Sequence, residues 1–217
     1  MPVTQLDPDR STDCLTIAWL LPATADAVWA HLQNVDSISE WLGRPLVFDT
    51  RLGGEIIIDH ADSYLCRSEV LAIGGKGADG DQVDGDRPAQ ERAGQDGADG
   101  DRVGGAAVEH SAELSWSFPD EPTSRIAVAV STTDHLEGRG LDAVPEQNAT
   151  APAAESQPTA MLILRHRGLG DLIDSYATGW LAHLSYLEAS LAGTPLPQSQ
   201  FWPLCATFDR LVEDRRN

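Results

Sequence analysis

Between residues 169 and 191, eight large apolar side chains recur at helical spacing: Leu169, Leu172, Ile173, Tyr176, Trp180, Leu184, Leu187 and Leu191. Asp171, Asp174, Ser175, Thr178, Ser185 and Glu188 fall mostly elsewhere around that helix. Gly193 is placed to cap its end, and Pro195 blocks extension. An apolar face this long and broad must be covered by another layer of structure. The rest of the chain has to supply that layer, and its patterning supplies mostly strands.

Leu15–Leu21 reads as an apolar strand closed by Pro22. Thr24 is a good N-cap, with Asp26 in the first turn, for a helix from about Ala25 to Gln33 that buries Val28, Trp29 and Leu32. A second short helix, about Asp36 to Leu42, presents Ile38, Trp41 and Leu42. Strands are expected at Leu46–Arg51, Glu55–His60 and Tyr64–Ile73, with Gly53-Gly54 as the tight turn between the first two. His110–Phe118 alternates, with Leu114, Trp116 and Phe118 on one face. Ser124–Thr133 and Thr159–His166 complete the strands, and a tail helix within 197–215 packs back. The order predicts an α+β chain with helices on one side of an antiparallel sheet.

Two stretches interrupt this pattern. Residues 74–108 are Gly, Asp and Ala with almost no large apolar side chain, and Gly77-Ala78-Asp79-Gly80-Asp81 recurs at 97–101. Such a segment buries too little surface to offset its ordering entropy, so a disordered insertion is expected. Residues 138–157 read as a second low-complexity loop. The Asp-Gly run breaks the EF-hand spacing, because Val83 and Asp84 occupy the fifth and sixth places counted from Asp79.

Composition excludes some classes. With 15 basic and 34 acidic residues the formal net charge is −19, which argues against nucleic acid and against an anionic membrane surface. Cys14, Cys66 and Cys205 form no CxxC pair, so neither a zinc knuckle nor a disulfide framework is expected. The first twelve residues have no signal-like apolar core, and no run is long enough to span a membrane. The expectation is a cytoplasmic protein with no membrane span, no metal and no cofactor.

Five pieces in order resemble the START-like (SRPBCC) helix-grip superfamily, in the branch named for homologues of the heat-shock-protein-90 ATPase activator. They are Pro22-Ala23-Thr24 before Val28-Trp29-Ala30-His31-Leu32, then Glu40-Trp41-Leu42, then Phe48 through Glu55. Leu114 through Phe118 follows, and last His166-Arg167-Gly168-Leu169 with Gly179-Trp180 and Leu184. The likeness covers about residues 12–193 of a single domain, the two interruptions aside. It implies a curved antiparallel sheet wrapped around a long C-terminal helix, with a cavity between. Members of the superfamily include ligand carriers, aromatases and cyclases, and co-chaperones.

No linear catalytic motif is present: HExxH, GxGxxG, Walker A and GxSxG are all absent. His60 with Asp59 and Asp62 is a weak metal arrangement, since zinc sites need several convergent ligands. Aromatic placement is more informative. Trp116 and Phe118 share one strand face, and Tyr176 and Trp180 share one helix face. Together with Ile57, and with His166 expected at the cavity rim, they are the candidate ligand-binding residues. The same residues would also serve a filled core. The reading is a non-enzymatic binder of a small hydrophobic or amphiphilic molecule. One alternative is a co-chaperone or other protein-interaction domain. Another is an aromatase-, cyclase- or hydrolase-like enzyme, with His166, Glu55 and Tyr176 as the groups to test.

Overall fold

The computed structural model describes residues 3–60, 64–75, 102–103, 106–133 and 159–214. Its elements are β1 (Val3–Asp9), β2 (Cys14–Leu21), α1 (Ala25–Leu32), α2 (Val35–Trp41), β3 (Arg44–Phe48), β4 (Glu55–His60) and β5 (Tyr64–Gly75). A small ladder pairs β6 (Arg102–Val103) with β7 (Ala106–Ala107). Then come β8 (His110–Trp116), β9 (Ser124–Thr133), β10 (Thr159–Arg167), α3 (Ile173–Leu191) and α4 (Phe201–Asp214). One eight-stranded sheet runs β1-β2-β10-β9-β8-β5-β4-β3, with every neighbouring pair antiparallel. The long helix lies against it, which is the helix-grip arrangement. No helix among the described residues is long and apolar enough to cross a membrane.

Alternation along the strands sets the inner face. Leu15, Ile17, Trp19 and Leu21 of β2 are at most 2% exposed. They join Ile56 and Ile58 of β4, Trp116 of β8, and Leu162 and Leu164 of β10 in one core against α3. Burying each such side chain contributes about 1.5–3 kcal/mol. Trp19 donates its indole N–H to Glu188 Oε2 at 3.2 Å, which fixes β2 against the C-terminal half of α3.

The helix starts are local. Thr24 Oγ1 accepts from the Ala27 amide at 3.2 Å, and Asn34 Oδ1 accepts from Asp36 and Ser37. The β3–β4 connection differs in register from expectation. The strand is Arg44–Phe48, and Asp49 already belongs to the turn. Asp49 accepts from the Arg51 amide and guanidinium, which hold its carboxyl down at about 2. Gly53 takes φ +75°, whereas Gly54 is needed for closeness: a Cβ there would sit 2.3 Å from the Asp49 carbonyl oxygen.

Two features went unread in the sequence. β1 carries Asp7, Pro8 and Asp9, which are poor strand formers, yet it forms one edge of the sheet, where proline is tolerated. Its hairpin to β2 turns through Asp13 at φ 48°, and Asp13 Oδ1 accepts from the Leu169 and Gly170 amides ahead of α3. The second feature is the girth of the buried surface on α3. Thr178, placed off the apolar face by periodicity, is 4% exposed because α4 folds back over it. Its hydroxyl donates to Asp209 Oδ1 of α4 at 2.7 Å. Most of 74–108 and all of 138–157 lie outside the described residues, although Gly74 and Gly75 extend β5.

Candidate functional site

Sheet and long helix enclose two adjoining spaces. The inner chamber, about 130 Å³, is walled by aliphatic side chains such as Ile56, Ile58, Leu114, Leu164 and Leu184, with Trp41 at one side. The outer cleft, about 860 Å³, lies where the ends of β4, β5 and β8 meet α3 and α4. His60, Phe118, Tyr176, His183 and Trp202 line it. Trp116 and Trp180 belong to both linings. Their ring centroids are 5.4 Å apart, so the two indoles stand as a wall between chamber and cleft.

Of the residues expected from sequence, Trp116, Phe118, Tyr176 and Trp180 do converge. Trp116 meets Phe118 edge-on at 6.0 Å, and Tyr176 and Trp180 both face the cleft. Ile57 does not join them. Inward and outward positions alternate along a strand, so its neighbours Ile56 and Ile58 line the chamber and Ile57 points to the other face. Glu55 is exposed at the start of β4 and pairs with Arg67 at 3.5 Å, away from the cavity.

His166 is the main correction. It is not at a rim: its exposure is 0%. Its Nδ1 accepts from the Trp180 indole N–H at 3.0 Å, so the proton of the neutral ring is on Nε2. Nε2 then donates to Ser124 Oγ at 2.7 Å, and that hydroxyl donates to the Trp116 carbonyl at 3.2 Å. Burial drives its pKa down to about 3. A neutral ring with both nitrogens engaged positions the two wall tryptophans and has no free nitrogen to take up a proton at neutral pH.

His60 and His183 were not among the expected cavity residues, yet both line the cleft, with ring centroids 5.7 Å apart. Burial lowers His60 to about 3, with His183 adding to the effect, and burial lowers His183 to about 4. His183 Nδ1–H donates to the Trp41 carbonyl at 2.8 Å, which ties α3 to α2. Tyr176 donates to Glu121 Oε2, and burial followed by that bond pushes the phenol far above its usual value. Burial likewise pushes the Cys205 thiol up to about 11 and Cys66 up to about 12. Every group that burial perturbs here moves away from neutrality. A general acid or base works best with a pKa near the working pH, and a thiolate must form before it can attack.

A separate polar cluster joins α1, α2 and α3. His31 Nε2 lies 2.8 Å from Ser190 Oγ, which donates to Glu40. Serine occupies the middle position, where a nucleophilic triad needs its histidine, so the cluster acts as a tie between helices. Among the described residues no three His, Cys, Asp or Glu side chains are grouped to hold a metal ion. Asp62 lies outside the described residues.

Four buried side-chain atoms among the described residues have no hydrogen-bond partner: Trp41 Nε1, Trp116 Nε1, Asp59 Oδ1 and His60 Nε2. All four residues line the cavity, Trp41 the inner chamber, Trp116 both spaces, Asp59 and His60 the outer cleft. Sequence pattern had placed Trp41 on a buried face and had singled out Asp59 and His60 only as weak metal ligands. Which side-chain atoms go unpartnered depends on tertiary packing, which has no local sequence signal.

Comparison with solved structures bears on the fold. The chain is similar to CalU16 from Micromonospora echinospora, with a TM-score of 0.51 at 14% identity over 91% of this chain and 84% of that one. A protein from Arthrobacter aurescens aligns with a TM-score of 0.53 at 13% identity over 90% and 96%. DynU16, a protein in the dynemicin biosynthetic locus, aligns at 0.50 and 16% over 84% of this chain and 49% of that one. No family model matches the chain, and no curated protein matches it. At these identities the likeness establishes a shared α+β helix-grip fold, the curved antiparallel sheet with a long C-terminal helix seen above.

Proposed function

We propose that this protein binds a small amphiphilic molecule in the two-part cavity and does so without catalysing a reaction. The observation that carries this reading is that the four unpartnered buried polar atoms all belong to residues lining that cavity. Leaving a buried donor or acceptor unsatisfied costs about 1–3 kcal/mol. A ligand supplying the missing partners recovers that cost on binding. Size fits the reading. The outer cleft, about 860 Å³, is in the range of roughly 300–1,000 Å³ that suits a drug-sized molecule. The chamber, about 130 Å³, is close to the roughly 150 Å³ apolar cavity that accepts benzene, so it suits a single ring or short branched chain. The order of motifs quoted above supports placing the chain in the branch of the ATPase-activator homologues, a placement a profile built from close relatives would accept or reject.

Gly179 provides a clean test. It sits mid-helix in α3 on the cleft lining, and a Cβ built there meets nothing within 4 Å. Gly179→Leu therefore narrows the cleft beside Trp180 without disturbing the core, and leucine favours the helix over glycine by roughly 0.5–1 kcal/mol. Titration with Nile red, a neutral apolar dye, should give saturable fluorescence enhancement in the wild-type protein and a severalfold weaker affinity in Gly179→Leu. No saturable binding by wild type, or equal binding by the folded variant, would sink the reading.

A further inference from the structure

We infer that the occupant of the cavity carries a protonated amine at its outer end. The inference rests on the binding reading above and names the ligand class. Four charged side chains line the outer cleft: the carboxylates Asp59, Glu121 and Asp209, and the guanidinium Arg44. The histidines do not add positive charge at neutral pH, because burial holds His60 and His183 well below it. Arg44 is directed outward, with 72% of its side chain exposed, and is bound to Asp59 Oδ2 at 2.6 Å. Asp59 Oδ1, on the same carboxylate, is buried and has no partner.

A carboxylate with one satisfied and one buried, unpartnered oxygen calls for a donor, and the surplus of negative charge around it calls for a cationic one. Asp209 and Glu121 already accept from Thr178 and Tyr176, hydroxyl donors that leave both carboxylate charges in place. Aromatic faces surround the position. Tyr64 stacks on Phe118 at 4.5 Å, and Trp202, 62% exposed, stands at the lip on α4. Such faces attract an ammonium group by their quadrupoles. Deeper in, Trp116 is 7% exposed, and its indole N–H faces the Tyr176 phenol oxygen without reaching hydrogen-bond geometry. Indole donates only, so the buried part of the ligand presents an acceptor oxygen there. The resulting class is an apolar ring system with an acceptor at its buried end and an amine at its mouth. Fatty acids and other anionic amphiphiles are the wrong sign for this cleft.

Three probes that share one ring system test the inference by titration calorimetry on the full chain: 2-naphthylmethylammonium, 2-naphthylmethanol and 2-naphthoate. The ammonium should bind about tenfold more tightly than the naphthoate, with the alcohol between, as local Coulomb interactions of this size imply. Asp59→Asn and Asp209→Asn should each remove most of the ammonium's advantage over the alcohol and leave the alcohol's affinity unchanged. Asp7→Asn, on an exposed position of β1, changes the net charge equally and should have no effect. Naphthoate binding as well as the ammonium would overturn the inference. So would an advantage untouched in both cleft variants, or reduced equally by Asp7→Asn, because the net charge alone would then explain it. Saturable binding of the alcohol with no preference for the cation would defeat this inference alone, whereas failure of all three probes would defeat the binding reading as well.

Discussion

Burial depresses His166 and His60 alike, and hydrogen bonding sets them apart. Burial takes each ring to a pKa of about 3. The two also share a neighbour, Trp116, at 6.2 Å from His166 and 5.9 Å from His60. Yet both nitrogens of His166 are engaged, by Trp180 and Ser124, while His60 has a buried Nε2 with nothing to meet. The first is a finished piece of core. The second has been desolvated without compensation, which is what a site waiting for a ligand looks like. A perturbed pKa alone does not separate them; the state of hydrogen-bond satisfaction does.

The largest expected effect comes from pH. His60, His166 and His183 all have folded pKa values depressed below 6.5, to about 3, 3 and 4. As pH falls below 6.5 the unfolded chain takes up protons that the folded chain refuses until pH 3–4, so stability is full above that window and is lost through it. Each histidine contributes a slope of at most about 1.4 kcal/mol per pH unit. Urea unfolding between pH 7 and pH 4.5 should show the loss, and either His166→Phe or His60→Phe should reduce its slope by about a third. A flat profile would mean that these rings reach water.

Next in size is the stability change at neutral pH, where the two rings should part company. His166→Phe keeps a ring but strips the Trp180 indole N–H of its acceptor, and should cost about 2–3 kcal/mol in urea unfolding. His60→Phe removes an unpartnered nitrogen, keeps the contacts with Trp116 and Phe118, and should fall within about 1 kcal/mol of wild type or above it. Binding should reverse the ranking, with Nile red or naphthylmethanol affinity falling more in His60→Phe than stability does. Equal stability losses in the two variants would erase the distinction. The smallest effect belongs to Trp202→Ala. This exposed residue at the lip should change stability by no more than about 0.5 kcal/mol, while weakening the naphthylmethylammonium complex severalfold.

The contrast between the two histidines also marks what the sequence could tell. Strand alternation and the apolar stripe of α3 were strong enough to give the sheet, the long helix and the convergence of Trp116, Phe118, Tyr176 and Trp180. β1 was missed because Asp7, Pro8 and Asp9 suppress any strand signal, and its place is set by pairing with β2. Thr178 was misplaced because a helical wheel does not register a second helix folding back. Ile57 was assigned to the cavity, but a strand that is apolar at 56, 57 and 58 leaves its inward phase unstated. His166 and His60 each end a strand segment in sequence, and only the neighbours brought by α3 and β9 tell them apart.

A protein that binds an amphiphile in this cavity should retain it through purification. Native mass spectrometry of the freshly purified chain, followed by denaturing extraction, checks this. A discrete small-molecule adduct is expected, reduced in Gly179→Leu, whose extracted species carries a basic amine. A single apo mass for wild type, with no stability gain from any of the three naphthyl probes, would contradict it and leave the cavity as a packing defect.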